Sequence, residues 1–391
     1  MGERKTHPET GKRQAFQPRR VSLRHSLFLR FGLLMIVAMV FSTVGYLRFG
    51  IHPAALRIAE SRFDVAAQQV EISLNRVFNP AENLIGVARR WALKPGFATS
   101  GTESFDRLFY PILKQIPQIT SAVAGTSDGQ GWMLLQRSDD HWLSRYTDVR
   151  RDGSIQHFTS WQGDGPRRSY HERLDYDPRQ RPWFQLAASG ADNGHLHWTA
   201  PYTFFTTKDP GITVSVRRDL PDGRTLVVGF DIKLLDVSRT TDSLKVGDHG
   251  CALVLTADRR VLGLPRGATT DGTAQIRRQV LEPVSRLSLP AVRQGMATWR
   301  TEHRPAKAIL RFSVEGKQWL GTFRPFVLGE QTFWVAIFAP KADFTPSSHS
   351  ILTVLSAILA LVLALTLLIA RRQARLFSAP LEMLAADSEK I

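Results

Sequence analysis

The chain has 391 residues, with 51 Lys and Arg against 35 Asp and Glu, a formal charge of +16 and one cysteine. A single cysteine excludes an intramolecular disulfide framework. Much of the positive charge sits in the two flanks, and no Lys/Arg block resembling a nucleic-acid arm occurs, so nucleic acid is not an expected partner.

Residues 1–26 read as a polar, basic tail. Over residues 1–30, Arg4, Lys5, Lys12, Arg13, Arg19, Arg20, Arg24 and Arg30 face only Glu3 and Glu9. The charge-free run Phe31–Leu47 follows, and a second, Ile351–Ala370, lies near the other end. Each is about long enough to cross a ~30 Å hydrocarbon core as a helix. Transmembrane helices are therefore predicted over 27–49 and 350–370. Arg371, Arg372 and Arg375 directly follow the second run. Basic residues beside spans stay cytoplasmic, so both termini are expected in the cytoplasm and residues 50–345 outside it. A cleaved signal peptide is the alternative for the first run. Its apolar stretch is long, and no A-x-A-like site follows closely.

Residues 50–94 read as a long helix. Leu56, Phe63, Val70, Val77, Leu84 and Trp91 recur every seven residues, and Ala59, Ala66 and Val87 widen the stripe. Such a stripe packs on its own domain or forms the seam of a homodimer. Pro80 is expected to kink or interrupt the helix, because it removes a backbone donor.

Residues 95–244 are predicted as a first α+β module. Strands are expected at Ile119–Thr126, Trp132–Arg137, Trp142–Asp148 and Ile155–Trp161, separated by Asp/Gly turn signals. A short helix is expected at Pro182–Ala188, a hairpin at Ile212–Arg217 and Thr225–Ile232, and a connecting helix at Lys233–Leu244. A smaller module follows over 245–345. Its strands are expected at Cys251–Thr256, Arg260–Leu264, Ala308–Val314, Gln318–Phe323 and Thr332–Phe338, with helical sequence near Ile276–Gln294. The fold class is thus α+β: a long N-terminal helix and two modules with antiparallel sheets, between two transmembrane helices.

The chain has no G-x-S-x-G, H-E-x-x-H, P-loop or G-x-G-x-x-G. No catalytic residue, cofactor or metal is predicted. His195 and His197 share a strand face as metal ligands do, but no third ligand is apparent nearby in sequence, and a polar strand edge is the expectation. Asp175 and Asp177 lack the Gly and distal Glu of a calcium loop and are expected as turn carboxylates. Cys251 starts a strand and reads as a small buried hydrophobe.

The densest feature is Tyr176–Ala187, read YDPRQRPWFQLA. Pro182 suits the first turn of a helix. Trp183 and Phe184 supply large rigid apolar surfaces, and Arg181 offers a planar fork suited to a carboxylate. Trp198, Pro201-Tyr202 and Gly229-Phe230-Asp231-Ile232 follow. An Arg, aromatic walls and an Asp at a strand end can form a pocket for a small charged molecule. They can equally be core and local pairs.

These motifs resemble the double-Cache family of extracytoplasmic sensors, over about residues 48–350. The resemblance implies PAS-like modules, a ligand pocket in the membrane-distal one (95–244) and signalling through the second span. It implies that Arg181, Trp183, Phe184, Tyr202 and Asp231 contact the ligand. Phe184 stands where members that bind amino acids usually carry Tyr, and Phe204 where a second acid is expected. A small carboxylate is therefore at least as good an expectation as an amino acid. Residues 371–391 are similar to the start of a HAMP linker.

The expected function is the sensor input module of a receptor in a bacterial cytoplasmic (inner) membrane, multi-pass, with residues 50–345 periplasmic. Its expected partners are a small-molecule ligand, the lipid bilayer, a second copy of itself in a homodimer, and a cytoplasmic output domain absent from this sequence. The module itself is not expected to be an enzyme. Rival readings are a membrane-anchored extracytoplasmic hydrolase and a structural assembly factor.

Overall fold

The first long element is a 40-residue helix, α1 (His52–Trp91). The computed structural model describes residues 52–92, 97, 101–138, 140–163, 165–268, 273–302 and 308–345, together with 34, 36–38, 40–41, 45, 353, 356–366, 368–369 and 372 of the flanking runs. Parts of both apolar runs, the tail 1–26 and nearly all of 371–391 lie outside these. No helix among the described residues is long and apolar enough to cross a membrane.

The buried face of α1 does not follow the seven-residue row. Ala59, Val70, Ala81 and Ala92 are buried, as are Phe63, Leu74 and Ile85. Both sets step by eleven, or 3.67 residues per turn, close to the natural pitch of a straight helix. Of the predicted heptad residues, Phe63 and Val70 are buried, while Leu56, Val77, Leu84 and Trp91 are only partly so. The stripe is spent on the protein's own core. Pro80 does not interrupt the helix, which continues through it. Its neighbours Phe78 and Ala81 are fully buried, and this packing outweighs the lost backbone hydrogen bond.

The first sheet has nine antiparallel strands in the order β5-β4-β3-β2-β1-β9-β8-β6, with β7 also on β8. The strands are β1 (Ser121–Thr126), β2 (Gln130–Ser138), β3 (His141–Asp148), β4 (Ile155–Gln162), β5 (Arg168–Arg173), β6 (His197–Trp198), β7 (Tyr202–Thr203), β8 (Pro210–Asp219) and β9 (Thr225–Lys233). The one-turn helix α3 (Val149–Asp152) joins β3 to β4. Besides the one-turn helix and β7, two longer elements escape the sequence patterns. Helix α2 (Glu103–Gln115) contains Pro111, yet buries Phe105, Phe109 and Leu113. Edge strand β5 is exposed throughout, so it shows no apolar alternation.

The two faces of this sheet do different things. Ala122, Ala124, Trp132, Leu134, Val214, Val216, Phe230 and Ile232 join the large core that contains α1 and α2. Val123, Met133, Leu135, Leu143, Phe158 and Val227 form a second cluster with Trp183, Phe184 and Ala187 of helix α4 (Pro182–Ala188). Strand alternation produces this division.

Helix α5 (Leu235–Ser243) leads to a five-stranded antiparallel sheet in the order β11-β10-β14-β13-β12. Its strands are β10 (Cys251–Thr256), β11 (Val261–Gly263), β12 (Leu310–Val314), β13 (Lys317–Leu328) and β14 (Gln331–Pro340). The helical stretch expected near 276–294 is split into α6 (Thr273–Gln279), a 3-10 turn at Val284–Arg286 and α7 (Pro290–Glu302). Pro283 and Pro290 supply the break: each lacks a backbone donor, and Pro290 opens the new helix. Strand β13 continues past Pro325, because beyond Gly321 it pairs only with β14. A proline on that free edge removes no ladder bond.

Candidate functional site

The Tyr176–Ala187 motif is a short lid laid on the second face of the nine-stranded sheet. Asp177 starts it: its carboxylate accepts from the Arg179 backbone N–H at 2.9 Å and pairs with the Arg179 guanidinium at 2.7 Å. That pair holds the Asp177 carboxyl below the usual range, because the hydrogen bonds outweigh partial burial. Arg179 is thereby spent on the turn. Pro178 lies over Gly125 and Gly131, where a Cβ would fall 2.9 and 3.2 Å from its ring. The glycines let the turn sit close to the strands. Pro182 opens α4, and the Ser215 hydroxyl donates to the Trp183 carbonyl at 2.9 Å.

Beneath this lid is a small cavity that opens to solvent at its mouth. Arg181, Trp183, Tyr202 and Asp231 all line it. Phe184 does not; it is buried beside Trp183, ring centroids 5.8 Å apart, as part of the support. Trp198 is also elsewhere. It lies on the opposite face, fully buried against Phe78 of α1, with its indole N–H donating to Glu82 at 2.8 Å.

Strand register assembles the polar floor. Ser121 on β1 and Thr213 on β8 stand opposite Asp231 on β9. Both hydroxyls donate to the Asp231 carboxylate, at 2.5 and 2.6 Å. The Tyr202 hydroxyl shares the Thr213 hydroxyl at 2.7 Å. Burial pushes the Asp231 carboxyl up, while these hydrogen bonds and two nearby arginines pull against it. The Tyr202 phenol is raised well above its usual value, mainly by burial and then by Asp231.

The second arginine is Arg145 on β3, which the sequence reading missed. Its side chain is buried, 3% exposed, and lines the same cavity. The guanidinium lies 3.6 Å from the Tyr176 ring centroid and donates to Thr206 Oγ1 at 3.0 Å. Burial and the charge of Arg181 push its pKa down, while Tyr176 and Asp231 raise it. The Arg181 guanidinium sits 5.5 to 6.0 Å from the ring centroids of Phe205, Tyr176 and Tyr202. Among the described residues, neither arginine forms an ion pair with a carboxylate. Lys233, also in the wall, is paired with Asp209 at 3.2 Å. The signal in sequence was an arginine in register with Leu143 and Thr147 on an otherwise inward-facing strand row. Tyr176 was in view as part of the motif, but its role as the platform for Arg145 depends on the fold.

Two planar cations, aromatic walls and a single hydrogen-bonded carboxylate can hold a small anion by charge-assisted bonds and stacking. Cys251 is buried as expected, and burial pushes its thiol up to about 12.

No family model matches the chain. Curated relatives are methyl-accepting chemotaxis proteins. McpC of Bacillus subtilis is 24% identical over 208 residues, 53% of this chain and 25% of McpC. McpB of the same organism is 33% identical over 84 residues, 22% of this chain and 12% of McpB. PctB of Pseudomonas aeruginosa is 32% identical over 91 residues, 23% of this chain and 14% of PctB. The chain spans a quarter or less of the length of these relatives. Solved structures that match include the ligand-binding domain of PctB from Pseudomonas aeruginosa in complex with L-Arg, with 20% identity, a TM-score of 0.42, and coverage of 71% of this chain and 92% of that one. That of the Campylobacter jejuni chemoreceptor Tlp3 in complex with 4-methylisoleucine has 13% identity, a TM-score of 0.48, and coverage of 75% and 94%. The relatives by sequence bear out the resemblance to the double-Cache sensor family, while the HAMP-like stretch 371–391 lies almost wholly outside the described residues.

Proposed function

We propose that this chain is the sensor input module of a membrane receptor, and that its cavity binds a small molecule of net negative charge through a carboxylate. The observation that carries this is the convergence of Arg145 and Arg181 on one cavity in which Asp231 is the only lining acid among the described residues. An unpaired buried cation is costly, and an anionic ligand relieves that cost. Asp231 leaves room for one cationic group, so an acidic amino acid fits as well as a dicarboxylate. The similarity to methyl-accepting chemotaxis proteins supports the sensor role.

In this reading residues 27–49 and 350–370 span the inner membrane, 50–345 are periplasmic, and 371–391 begin a HAMP-like linker to an output domain. Ligand binding shifts the module between two states, which requires different affinity for each. The receptor works as a homodimer.

The test is a thermal-shift screen of the purified chain with succinate, L-glutamate and L-alanine, since a ligand of the native state raises apparent stability. Stabilisation by succinate or glutamate exceeding that by alanine is expected, with loss in Arg181→Ala. Stabilisation by alanine alone overturns the charge argument.

A further inference from the structure

His195 and His197 were visible in the sequence as a pair without a third ligand. The fold supplies one from the other sheet. Glu330 sits in the two-residue turn between β13 and β14, with its Oε1 3.2 Å from His195 Nε2 and 3.0 Å from His197 Nδ1. The donor atoms of the three residues all lie within 4.8 Å of one another. The imidazoles meet edge-on, ring centroids 4.8 Å apart.

The turn is held in this place. β13 and β14 run beyond the end of β12, so the hairpin tip projects from the five-stranded sheet towards β6. Glu330 Oε2 accepts the Trp198 backbone N–H at 3.3 Å, and Gln331 Nε2 donates to the Trp198 carbonyl at 3.1 Å. Gly329, with φ +54°, approaches so closely that a Cβ would fall 2.8 Å from Trp198 Cδ1.

Two imidazole nitrogens and one carboxylate form a donor set suited to zinc and similar borderline cations. Ligand bonds of about 2.0–2.2 Å put neighbouring tetrahedral donors roughly 3.3 Å apart. Both N···O separations are already near that. The remaining one closes by turning the His195 ring, whose side chain is 60% exposed. The His195 and Glu330 side chains are 60% and 41% exposed, so an ion can reach the cluster from solvent. We propose that His195, His197 and Glu330 bind a zinc-class divalent cation, and that the ion clamps the β13–β14 tip to the β6 edge of the nine-stranded sheet. None of the three lines the anion cavity, so the proposal stands apart from the ligand reading.

The test uses the untagged full chain in detergent micelles, freed of metal with a chelator and titrated with Zn²⁺ alone by calorimetry. One site is expected, with a raised unfolding midpoint. His195→Ala, His197→Ala and Glu330→Gln should each weaken it by at least the ten- to hundredfold typical of losing even an outer-sphere partner. His141→Ala, an exposed histidine elsewhere, should leave it unchanged. Circular dichroism without metal checks folding, and the exposed His195 decides the matter if a buried neighbour's variant misfolds. Absence of binding at micromolar Zn²⁺, or equal affinity in wild type and His195→Ala, overturns the proposal.

Discussion

The ring of Phe204 lies directly over the backbone of Gly211: a Cβ on that glycine would fall 1.9 Å from Phe204 Cζ. Phe204 is buried, lines the cavity and meets Tyr202 edge-on at 5.3 Å. It occupies the place where the family resemblance led us to expect a second acid. Gly211→Ala must therefore displace the ring towards the cavity. Overpacking of this kind costs about 1–3 kcal/mol, and the affinity for a stabilising carboxylate should fall. The double variant Gly211→Ala/Phe204→Ala should recover affinity. Thermal unfolding and ligand titration check both statements. Unchanged binding in Gly211→Ala would remove Phe204 from the cavity wall.

The two arginines are expected to act unequally in mutation. Arg181 is partly exposed and outside any ion pair among the described residues, so Arg181→Ala should leave the fold intact. It should cost a carboxylate ligand about 1.5–3 kcal/mol, the usual worth of a hydrogen bond to a charged group, or roughly ten- to a hundredfold in affinity. Arg145 is buried against Tyr176 and Thr206, so Arg145→Ala should lower stability as well as affinity. Asp231→Asn separates ligand types: it should weaken glutamate but not succinate. Equal effects on both probes would show that Asp231 only scaffolds Ser121 and Thr213.

Most of the strands were legible as short β-rich runs bounded by turn residues, although Ser121–Thr126 and Cys251–Thr256, among others, are buried on both faces. Cys251–Thr256 and Pro182–Ala188 have the same bounds in the structure as in the sequence reading. Four of the five proposed contact residues do share a cavity, while Phe184 lies behind its wall and Arg145, which lines it, was not among the five. A motif shows which residues are close in sequence, not which strand passes beneath them. Arg145 is 36 residues from Arg181, and only the register of β3 with β2 and β1 brings it under the lid. Glu330 was invisible for the same reason, since it reaches His195 from a separate sheet. Helix α2 was hidden by Pro111, and β5 by its exposure.

Asp106 makes stability depend on pH. It is 1% exposed, and accepts from the Ser144 hydroxyl at 2.5 Å and weakly from Arg167 at 3.4 Å. Burial raises its carboxyl from 3.8 to about 6, against these hydrogen bonds. The native state thus binds a proton more tightly than the unfolded chain. Its contribution is fully present below about pH 4 and is lost as pH rises through about 6. Asp106→Asn keeps an acceptor for Ser144 and removes the buried charge. It should stabilise the chain at pH 7 on the order of 1–3 kcal/mol, with the gain vanishing below about pH 4. Denaturant unfolding at both pH values measures this. A destabilised variant at pH 7 would mean that the charge is used by the fold.

The dimer seam should lie on the outer face of α1, away from the stripe first read there. Leu56 is partly buried, and Phe63 and Val70 are fully spent on the core. Ile58, Val65 and Ile72 are 43%, 62% and 52% exposed. They step by seven, so they stay on one face over three turns or more, drifting only about 20° per heptad. That is the spacing of a two-helix seam. Single cysteines at Ile58, Val65 and Ile72, in a chain with Cys251 replaced, should crosslink between subunits in membranes. A cysteine at Phe63 should not, because its side chain faces the core. Failure of all three outer positions, with Phe63→Cys equally silent, would place any dimer contact on another surface.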